Sequence, residues 1–520
     1  MYYNSPSFLW FFPLVVVFYF ALPKKVKPFW LLISSYYLYF CFSLPSLLVL
    51  VVTTLCSYGI ALLISSAKKE GKGTKLLLLL GVFACLAGLV ATKYLTFFST
   101  ALADAMVSLG QTATPVIKNF FIVGSVSFYT FQALGYLIDV YKDKLEAEKN
   151  LIYYALFVGF FPTVVMGPIQ RANALIPQLK EPASFEYNRI ADGLFTMLFG
   201  FFKKLVLADG LAAIVNNVYR TPQSFRGPAL LLAVFAFSIQ IYCDFSGYTD
   251  ISIGAANILG FGLLPNFKQP YFATSIADFW GRWHISLSTW FKDYVYIPLG
   301  GNRKGKLRTY FNLMVTFLVS GLWHGASLTY LVWGGLHGLY RVIGRLTASA
   351  REKLKKFFHL EKIPFITKPI SIAFTFLLVS AAWVFFRAET PEDAVYILTH
   401  LHTGFSSVQL PSLETIVRST HLHITTGEAF TYTTPGFWEA AFRGTGFFTA
   451  HAGVDLLICT ILLLLFSLWE AFFADKDKPM LANCVRSKSF YLRWPIYYIL
   501  GFLILVLGNF GSSQFIYAAY

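Results

Sequence analysis

The chain alternates between long apolar stretches and short connections that are rich in lysine and arginine. Segments such as Ser7 to Pro23, Leu44 to Ser66 and Leu76 to Val90 match the length of about 20 residues that an α-helix needs to cross about 30 Å of hydrocarbon. This pattern predicts an all-α polytopic membrane protein. The further spans that we expect are 29–42, 119–140, 151–166, 190–206, 229–253, 310–327, 328–340, 370–386, 454–473 and 496–510.

Two stretches interrupt the apolar pattern. The span that begins near Leu151 runs into Met166-Gly167-Pro168, and a helix that breaks at membrane depth is tolerated only inside protein or beside a wet cavity. From Gly262 to Gly301, polar residues recur every few positions among aromatic ones. We interpret this second stretch as a re-entrant or interfacial segment.

Composition and charge exclude a soluble protein and define a topology. Hydrophobic residues make up 56% of the chain and charged residues 13%, where soluble domains carry about 25% charge. The net charge of +16 comes from basic loops, which stay cytoplasmic in membrane proteins, so no nucleic acid is needed to explain it. We expect a multi-pass protein of the cytoplasmic (inner) membrane whose N-terminus lies outside. Loops 68–75, 303–308, 351–368 and 476–493 are expected inside and the less basic segment 387–450 outside.

Two histidines are candidates for chemistry, because ionisable residues inside a membrane are costly. His324 lies about 14 residues, or about 21 Å, into the span that begins near Tyr310, and His284 lies in the interrupted segment. A neutral imidazole can act as a general base, or it can form a structural hydrogen bond between helices. Gly321 and Gly325 form a small-residue stripe that lets another backbone or a substrate approach.

Other polar residues are weaker candidates. His337 can line the same cavity as His324 or cap a helix near the interface, and Asp244 can orient a histidine or hold a helix break together. The pairs His400/His402 and His421/His423 have no third ligand cluster near them, so we expect no metal site. The six cysteines contain no C-x-x-C pair and imply no disulfide framework.

Several short motifs stand out in the chain: Gly167-Pro168-Ile169-Gln170-Arg171, Asp244-Phe245-Ser246-Gly247-Tyr248, Asn266-Phe267, Arg282-Trp283-His284-Ile285-Ser286, Gly300-Gly301-Asn302-Arg303 and Leu322-Trp323-His324-Gly325. These motifs resemble those of the membrane-bound O-acyltransferase (MBOAT) family, and within it the branch that acetylates polysaccharides such as alginate. The resemblance implies one membrane domain, 1–520, with about eleven spanning helices and re-entrant segments around a central catalytic chamber. The motif-bearing core is 242–338.

The resemblance also implies roles for individual residues. His324 is the expected catalytic residue, His284 falls on the second motif position, and the expected chamber lining includes Asp244, Ser246, Trp323 and His337. We expect the rings of His284 and His324 to lie within about 10 Å, since both must reach one acyl group. We also expect a tunnel from the cytoplasm, an outer funnel, and a narrow passage beside the glycines at 321, 325, 334, 335 and 338.

The expected donor is acetyl-CoA, with no permanently bound cofactor. The loop residues Arg303, Lys304, Lys306 and Arg308 either bind the phosphates of coenzyme A or serve only as a positive-inside anchor. The acceptor is an extracytoplasmic polysaccharide or an acetyl-accepting periplasmic or extracellular partner protein, and lipid surrounds the chain. Two alternatives are D-alanyl transfer to teichoic acid and a transporter with a proton relay through His284, His324 and Asp244.

Overall fold

A computed structural model describes residues 1–112, 114, 125–405, 466 and 490–508, and all regular structure in these residues is helical. The first half contains α1 (Pro6–Ala21), α2 (Lys27–Phe40), α3 (Leu44–Lys69), α4 (Lys75–Lys93), α5 (Leu95–Ser108), α6 (Val126–Tyr141), α7 (Leu151–Gly159), α8 (Phe161–Val164), α9 (Ala172–Lys180) and α10 (Tyr187–Phe201). The second half contains α11 (Asp209–Arg220), α12 (Gly227–Leu259), α13 (Ile276–Trp280), α14 (Ile285–Phe291), α15 (Lys306–His324), α16 (Leu328–Leu346), α17 (Ala348–Phe357), α18 (Pro364–Arg387), α19 (Pro391–His400) and α20 (Phe490–Leu507). The prediction of an all-α chain is confirmed for these residues.

Local sequence signals explain where several helices begin. The Ser43 hydroxyl accepts the backbone N–H of Ser46 at the start of α3, and Thr390 accepts that of Asp393 at the start of α19. A proline occupies the first turn of both helices, where its missing N–H costs no hydrogen bond.

Among the described residues, three helices are long and apolar enough to cross a membrane: α3, α12 and α18. Four further apolar segments, 6–21, 75–91, 151–164 and 493–507, are shorter. The chain is therefore a membrane protein with several apolar helices, and the count of about eleven spans stays a prediction. The expected outer segment 387–450 is described only as far as residue 405, and of the expected span 454–473 only residue 466 is described.

Helix α12 is the central element and is buried along most of its length. It packs closely on α10 through two pairs of glycines spaced seven residues apart. A Cβ on Gly193 would lie 2.7 Å from the Gly254 carbonyl oxygen, and one on Gly200 would lie 2.6 Å from that of Gly247. Only glycine allows the two backbones to approach so closely.

The predicted broken helix is present and buried. Helix α7 ends at Gly159, the one-turn helix α8 follows, and residues 154–170 are all buried. The break comes before Met166, because α8 restarts at Phe161 with Pro162 in its first turn. Gly167 is required at the end of the break, since a Cβ there would lie 2.4 Å from the Pro162 carbonyl oxygen. The irregular backbone lies inside protein, as membrane burial demands.

The buried apolar residues form two clusters. One includes residues of α1 to α4, α6 to α9, the end of α12, and α14, and the other includes residues of α11, the middle of α12, α16, α18 and α19. Trp323 belongs to the first cluster and Trp333 to the second, and the rings of both contact the ring of His324. The candidate site therefore lies where the two clusters meet.

Candidate active site

His284 has a backbone conformation that is unusual for a residue with a side chain. It lies at the left-handed φ of 43° and ψ of 53°, directly before α14, and it is completely buried. Few non-glycine residues adopt this conformation, and it persists only where the surrounding structure enforces it.

A hydrogen-bonded clamp holds the backbone around His284. The buried Asn266 accepts the N–H of Ile285 through its backbone carbonyl at 2.9 Å. Its side-chain Oδ1 accepts the Ser286 hydroxyl at 2.6 Å, and the same hydroxyl oxygen accepts the N–H of Ile169 at 3.0 Å. The clamp joins the broken-helix segment to the start of α14 and fixes the position of His284.

The His284 imidazole lies among aromatic rings from both apolar clusters. Its ring centroid is 4.7 Å from that of Phe245, 6.0 Å from that of Trp323 and 6.4 Å from that of Phe128. Neither ring nitrogen has a hydrogen-bond partner among the described residues. Burying a polar atom without a hydrogen bond costs free energy. A ligand that forms a hydrogen bond with either nitrogen would recover part of this cost.

His324 is the last residue of α15, and the backbone continues into the extended Gly325. The His324 side chain is almost fully buried, and its ring centroid lies 4.8 Å from that of Trp323 and 4.9 Å from that of Trp333. Trp323 thus contacts both histidines. The centroids of His284 and His324 are separated by no more than the sum of their two distances to Trp323, 6.0 Å and 4.8 Å.

His337 is held by a different tryptophan. The Trp280 indole Nε1–H donates to His337 Nδ1 at 3.2 Å, and the His337 ring centroid lies 5.0 Å from that of Trp333. The ring of Trp333 therefore contacts those of both His337 and His324. A nitrogen that accepts this bond is unprotonated, so the bond selects the tautomer of His337 with its hydrogen on Nε2.

Asp244 and Ser246 bind buried lysines. Lys204 Nζ donates to Asp244 at 2.6 Å and to Asp209 at 2.8 Å, and Lys203 Nζ donates to the Ser246 hydroxyl at 3.0 Å. Both lysines belong to a π-helical turn, Phe202–Ala208, that continues α10. Sequence reasoning missed the lysines, although two cations inside an expected span are themselves a signal for buried acidic partners.

A cavity of about 840 Å³ lies between the segment 277–304 and helices α15 and α16, and none of the three histidines belongs to its lining. The end formed by Arg303, Lys304 and the last part of α16 is basic, and the rest of the lining mixes apolar side chains with hydroxyl groups, those of Ser288, Thr289, Thr316 and Ser320. Leu313, Phe317 and Ser320 line it along α15, so the cavity extends toward His324 and reaches to one helical turn from it. Ile285, next to His284, and Trp280, next to His337, also line it.

Only two of the four loop cations that we expected at the donor site line the cavity. All four are exposed, but the lining includes Arg303 and Lys304 and not Lys306 or Arg308. The other cations of the lining are Lys292, Arg341 and Arg345. The two arginines come from α16, about 40 residues beyond the predicted loop, and Arg345 donates to Asn302 Oδ1 at 3.1 Å. Distance along the chain hid them from sequence reasoning.

The expectation of a passage beside the glycines is wrong for Gly321, Gly325 and Gly334. A Cβ on Gly321 would lie 2.3 Å from the Tyr330 carbonyl oxygen, and one on Gly334 would lie 2.4 Å from that of Phe317. A Cβ on Gly325 would lie 2.3 Å from the Tyr330 ring. Gly321 and Gly334 let α15 and α16 pack backbone to backbone, and Gly325 makes room for the Tyr330 ring, so no room for a substrate is left beside these glycines.

Of the two other histidine pairs, His400/His402 lies at the end of α19 and directly after it. His400 stacks on Tyr396 at 4.0 Å between ring centroids, and His402 is exposed. His421 and His423 lie outside the described residues. Within the described part of the chain, no three histidine, cysteine or acidic side chains form a group that could hold a metal ion.

The class of protein is indicated by a bundle of apolar helices with buried histidines close in sequence to the lining of a basic cavity. The model of the membrane-bound O-acyltransferase family, MBOAT, matches residues 31–386, and the chain belongs to this family. It is therefore an O-acyltransferase, and the transporter alternative is set aside.

Curated relatives place the chain more narrowly. It is 38% identical to the probable alginate O-acetylase AlgI of Pseudomonas putida, over 75% of this chain and 78% of the relative. It is 33% identical to the peptidoglycan O-acetyltransferase of Helicobacter pylori, over 78% of this chain and 81% of the relative. The match to the teichoic acid D-alanyltransferase of Bacillus subtilis is 29% identical and covers 41% of this chain and 56% of that one. The chain is thus more similar, and over more of its length, to these two O-acetylating enzymes than to the D-alanyltransferase.

Proposed function

We propose that the chain transfers acetyl groups from cytoplasmic acetyl-CoA to hydroxyl groups of an extracytoplasmic polysaccharide such as alginate. The observation that carries this proposal is the cavity that runs from five basic side chains toward His324. The names of the relatives, an alginate O-acetylase and a peptidoglycan O-acetyltransferase, support a carbohydrate hydroxyl as the acceptor.

The lining of the cavity suits a long thioester with phosphates at one end. Arg303, Lys304, Arg341 and Arg345 supply charged donors for phosphate oxygens at the basic end. Phe317 and the other apolar side chains suit the uncharged arm that carries the thioester. The volume is within the range of about 300 to 1,000 Å³ that is usual for small-molecule sites.

In the proposed reaction, His324 acts as the general base. It accepts the proton of the acceptor hydroxyl while the oxygen attacks the acetyl carbonyl carbon. As the new ester bond forms and the carbon–sulfur bond breaks, His324 returns the proton to the departing thiolate. A protonated nitrogen of His284 can donate to the developing oxyanion. The aromatic side chains around both rings keep water from the thioester.

The architecture that goes with this proposal is a single domain, 1–520, with about eleven spans in the inner membrane. The core 242–338 carries the chemistry, and the segment 387–450 faces outward because of its charge. The acceptor then approaches His324 from outside, either as the polymer itself or as an acetylated partner protein that passes the group on. D-alanyl transfer is less favoured, because its named relatives match a smaller part of the chain.

Donor binding tests the proposal directly. Isothermal titration of the purified protein with acetyl-CoA should show binding that weakens at least about tenfold in Arg341→Ala/Arg345→Ala, because each charge-assisted hydrogen bond contributes about 1.5 to 3 kcal/mol. The matched control is Lys306→Ala/Arg308→Ala, which removes the same charge from the same mouth but from residues that do not line the cavity. Equal effects of the two variants would contradict the assignment of the cavity to the donor.

A further inference from the structure

Helix α17 is a short amphipathic helix at the mouth of the cavity. It begins at Ala348, directly after α16, whose last turn carries Arg345 of the cavity lining. All ten of its residues are exposed. Among the described residues, α17 contacts mainly its chain neighbours, the end of α16 and the turn Leu360–Lys362.

One face of α17 is apolar although nothing in the described chain covers it. Leu354 and Phe357, together with Phe358 directly after the helix, follow the i, i+3, i+4 spacing that places side chains on one side of a helix. Their exposed fractions are 53%, 77% and 61%. Large apolar side chains grouped in this way indicate a contact surface rather than scattered exposure.

The rest of α17 is basic. Arg351 and Lys355 are four residues apart, and Lys353 and Lys356 add two further charges. Glu352 is the one acidic residue of the helix, and its carboxylate lies 3.9 Å from Lys356 Nζ, with both side chains well exposed. The helix therefore combines an apolar face with a net positive charge, which is the composition of helices that lie in the interface of an anionic membrane.

The position of α17 in the chain favours a lipid surface as the partner of its exposed apolar face. The helix connects α16 to α18, and α18 is long and apolar enough to span the membrane. A connection of this length between membrane helices stays close to the bilayer surface. Phe365, in the first turn of α18, is a further aromatic side chain that is 73% exposed.

We propose that α17 binds anionic phospholipids of the membrane leaflet on the side where the cavity opens. The phenylalanine and leucine side chains insert among the acyl chains, and the lysine side chains contact the negatively charged headgroups. Because α16 continues into α17, this contact fixes the end of α16 that carries Arg341 and Arg345. The proposal concerns lipid alone and does not depend on the identity of the acyl donor.

Hydrogen–deuterium exchange of the full chain in lipid nanodiscs tests this proposal. The probe is phosphatidylglycerol, added to nanodiscs that otherwise contain phosphatidylcholine. Each basic side chain near an anionic surface strengthens binding about fivefold, so amides of the peptide 348–358 should exchange at least about tenfold more slowly with phosphatidylglycerol present.

The neutral variant Lys353→Gln/Lys355→Gln/Lys356→Gln should lose most of this difference. The control, Lys69→Gln/Lys72→Gln/Lys75→Gln, removes three exposed charges from another basic loop and should retain it. Equal exchange of 348–358 in both lipids would overturn the proposal. Protection that is already complete in detergent would also overturn it, because a protein segment would then cover the helix.

Discussion

The ion pair between Lys204 and Asp244 gives a sharp prediction about a residue that sequence reasoning had placed in the catalytic chamber. The Lys204 and Asp244 side chains are 1% and 3% exposed, and their charged atoms lie 2.6 Å apart. At an effective dielectric constant of about 20, the Coulomb attraction at this distance is about 6 kcal/mol. Asp209, 2.8 Å from the same ammonium, retains part of the compensation when Asp244 is neutralised.

We therefore expect Asp244→Asn to lower the free energy of unfolding by about 3 kcal/mol, since breaking a buried pair leaves an incompletely compensated charge. The assay is unfolding in mixed micelles of mild detergent and dodecyl sulfate, followed by tryptophan fluorescence. The matched control is Asp250→Asn, which removes the partner of Lys203 at the same distance, 2.6 Å, but from a side chain that is 25% exposed.

Greater solvent screening should reduce the effect of Asp250→Asn to about 1 kcal/mol. The reasoning would be refuted if Asp244→Asn unfolded like the unmodified protein. A variant of normal stability that had lost acetyl transfer would instead place Asp244 in the chemistry, as the motif first suggested.

Three further predictions concern packing, the clamp and topology. Gly321→Ala should destabilise the protein by about 1 to 3 kcal/mol in the same unfolding assay, because the added Cβ meets a backbone oxygen. Gly335→Ala should be tolerated, because the nearest neighbour of its Cβ is a side-chain carbon at 3.8 Å. Asn266→Ala should lower kcat more than it raises the KM of acetyl-CoA, since the clamp positions His284 and does not line the donor cavity; an unchanged kcat would contradict this. Cysteine introduced at Ser407 should react with an impermeant maleimide in intact cells, and cysteine at Ser487 should not, and labelling of Ser487→Cys would overturn the topology derived from charge.

Hydrophobic pattern and motifs predicted the parts of this protein that depend on short stretches of sequence. Apolar length predicted membrane helices, and Gly167-Pro168 indicated a buried helix break that the structure has a few residues earlier. The motifs drew attention to His284 and His324, which both contact Trp323. Each of these features depends on neighbours within one helix or one loop.

The features that sequence reasoning missed depend on pairs of distant segments. Asn266 accepts hydrogen bonds from residues about 20 positions away in the sequence, and Trp280 donates one to His337, 57 positions away. Arg341 reaches the cavity only because α16 runs back along α15. The glycine stripe was ambiguous for the same reason, since spacing shows that something approaches Gly321 but not that it is the backbone of α16.

The measurement that tests the central claim most directly is acetyl transfer by His324→Ala. The purified variant in nanodiscs is supplied with acetyl-CoA carrying a labelled acetyl group and with polysaccharide acceptor, and donor binding is measured on the same sample. The account predicts a loss of transfer by about 10² to 10⁴ because the general base is absent, with binding of acetyl-CoA unchanged because His324 does not line the cavity. Near-normal transfer by the folded variant would contradict the account and remove His324 from the mechanism.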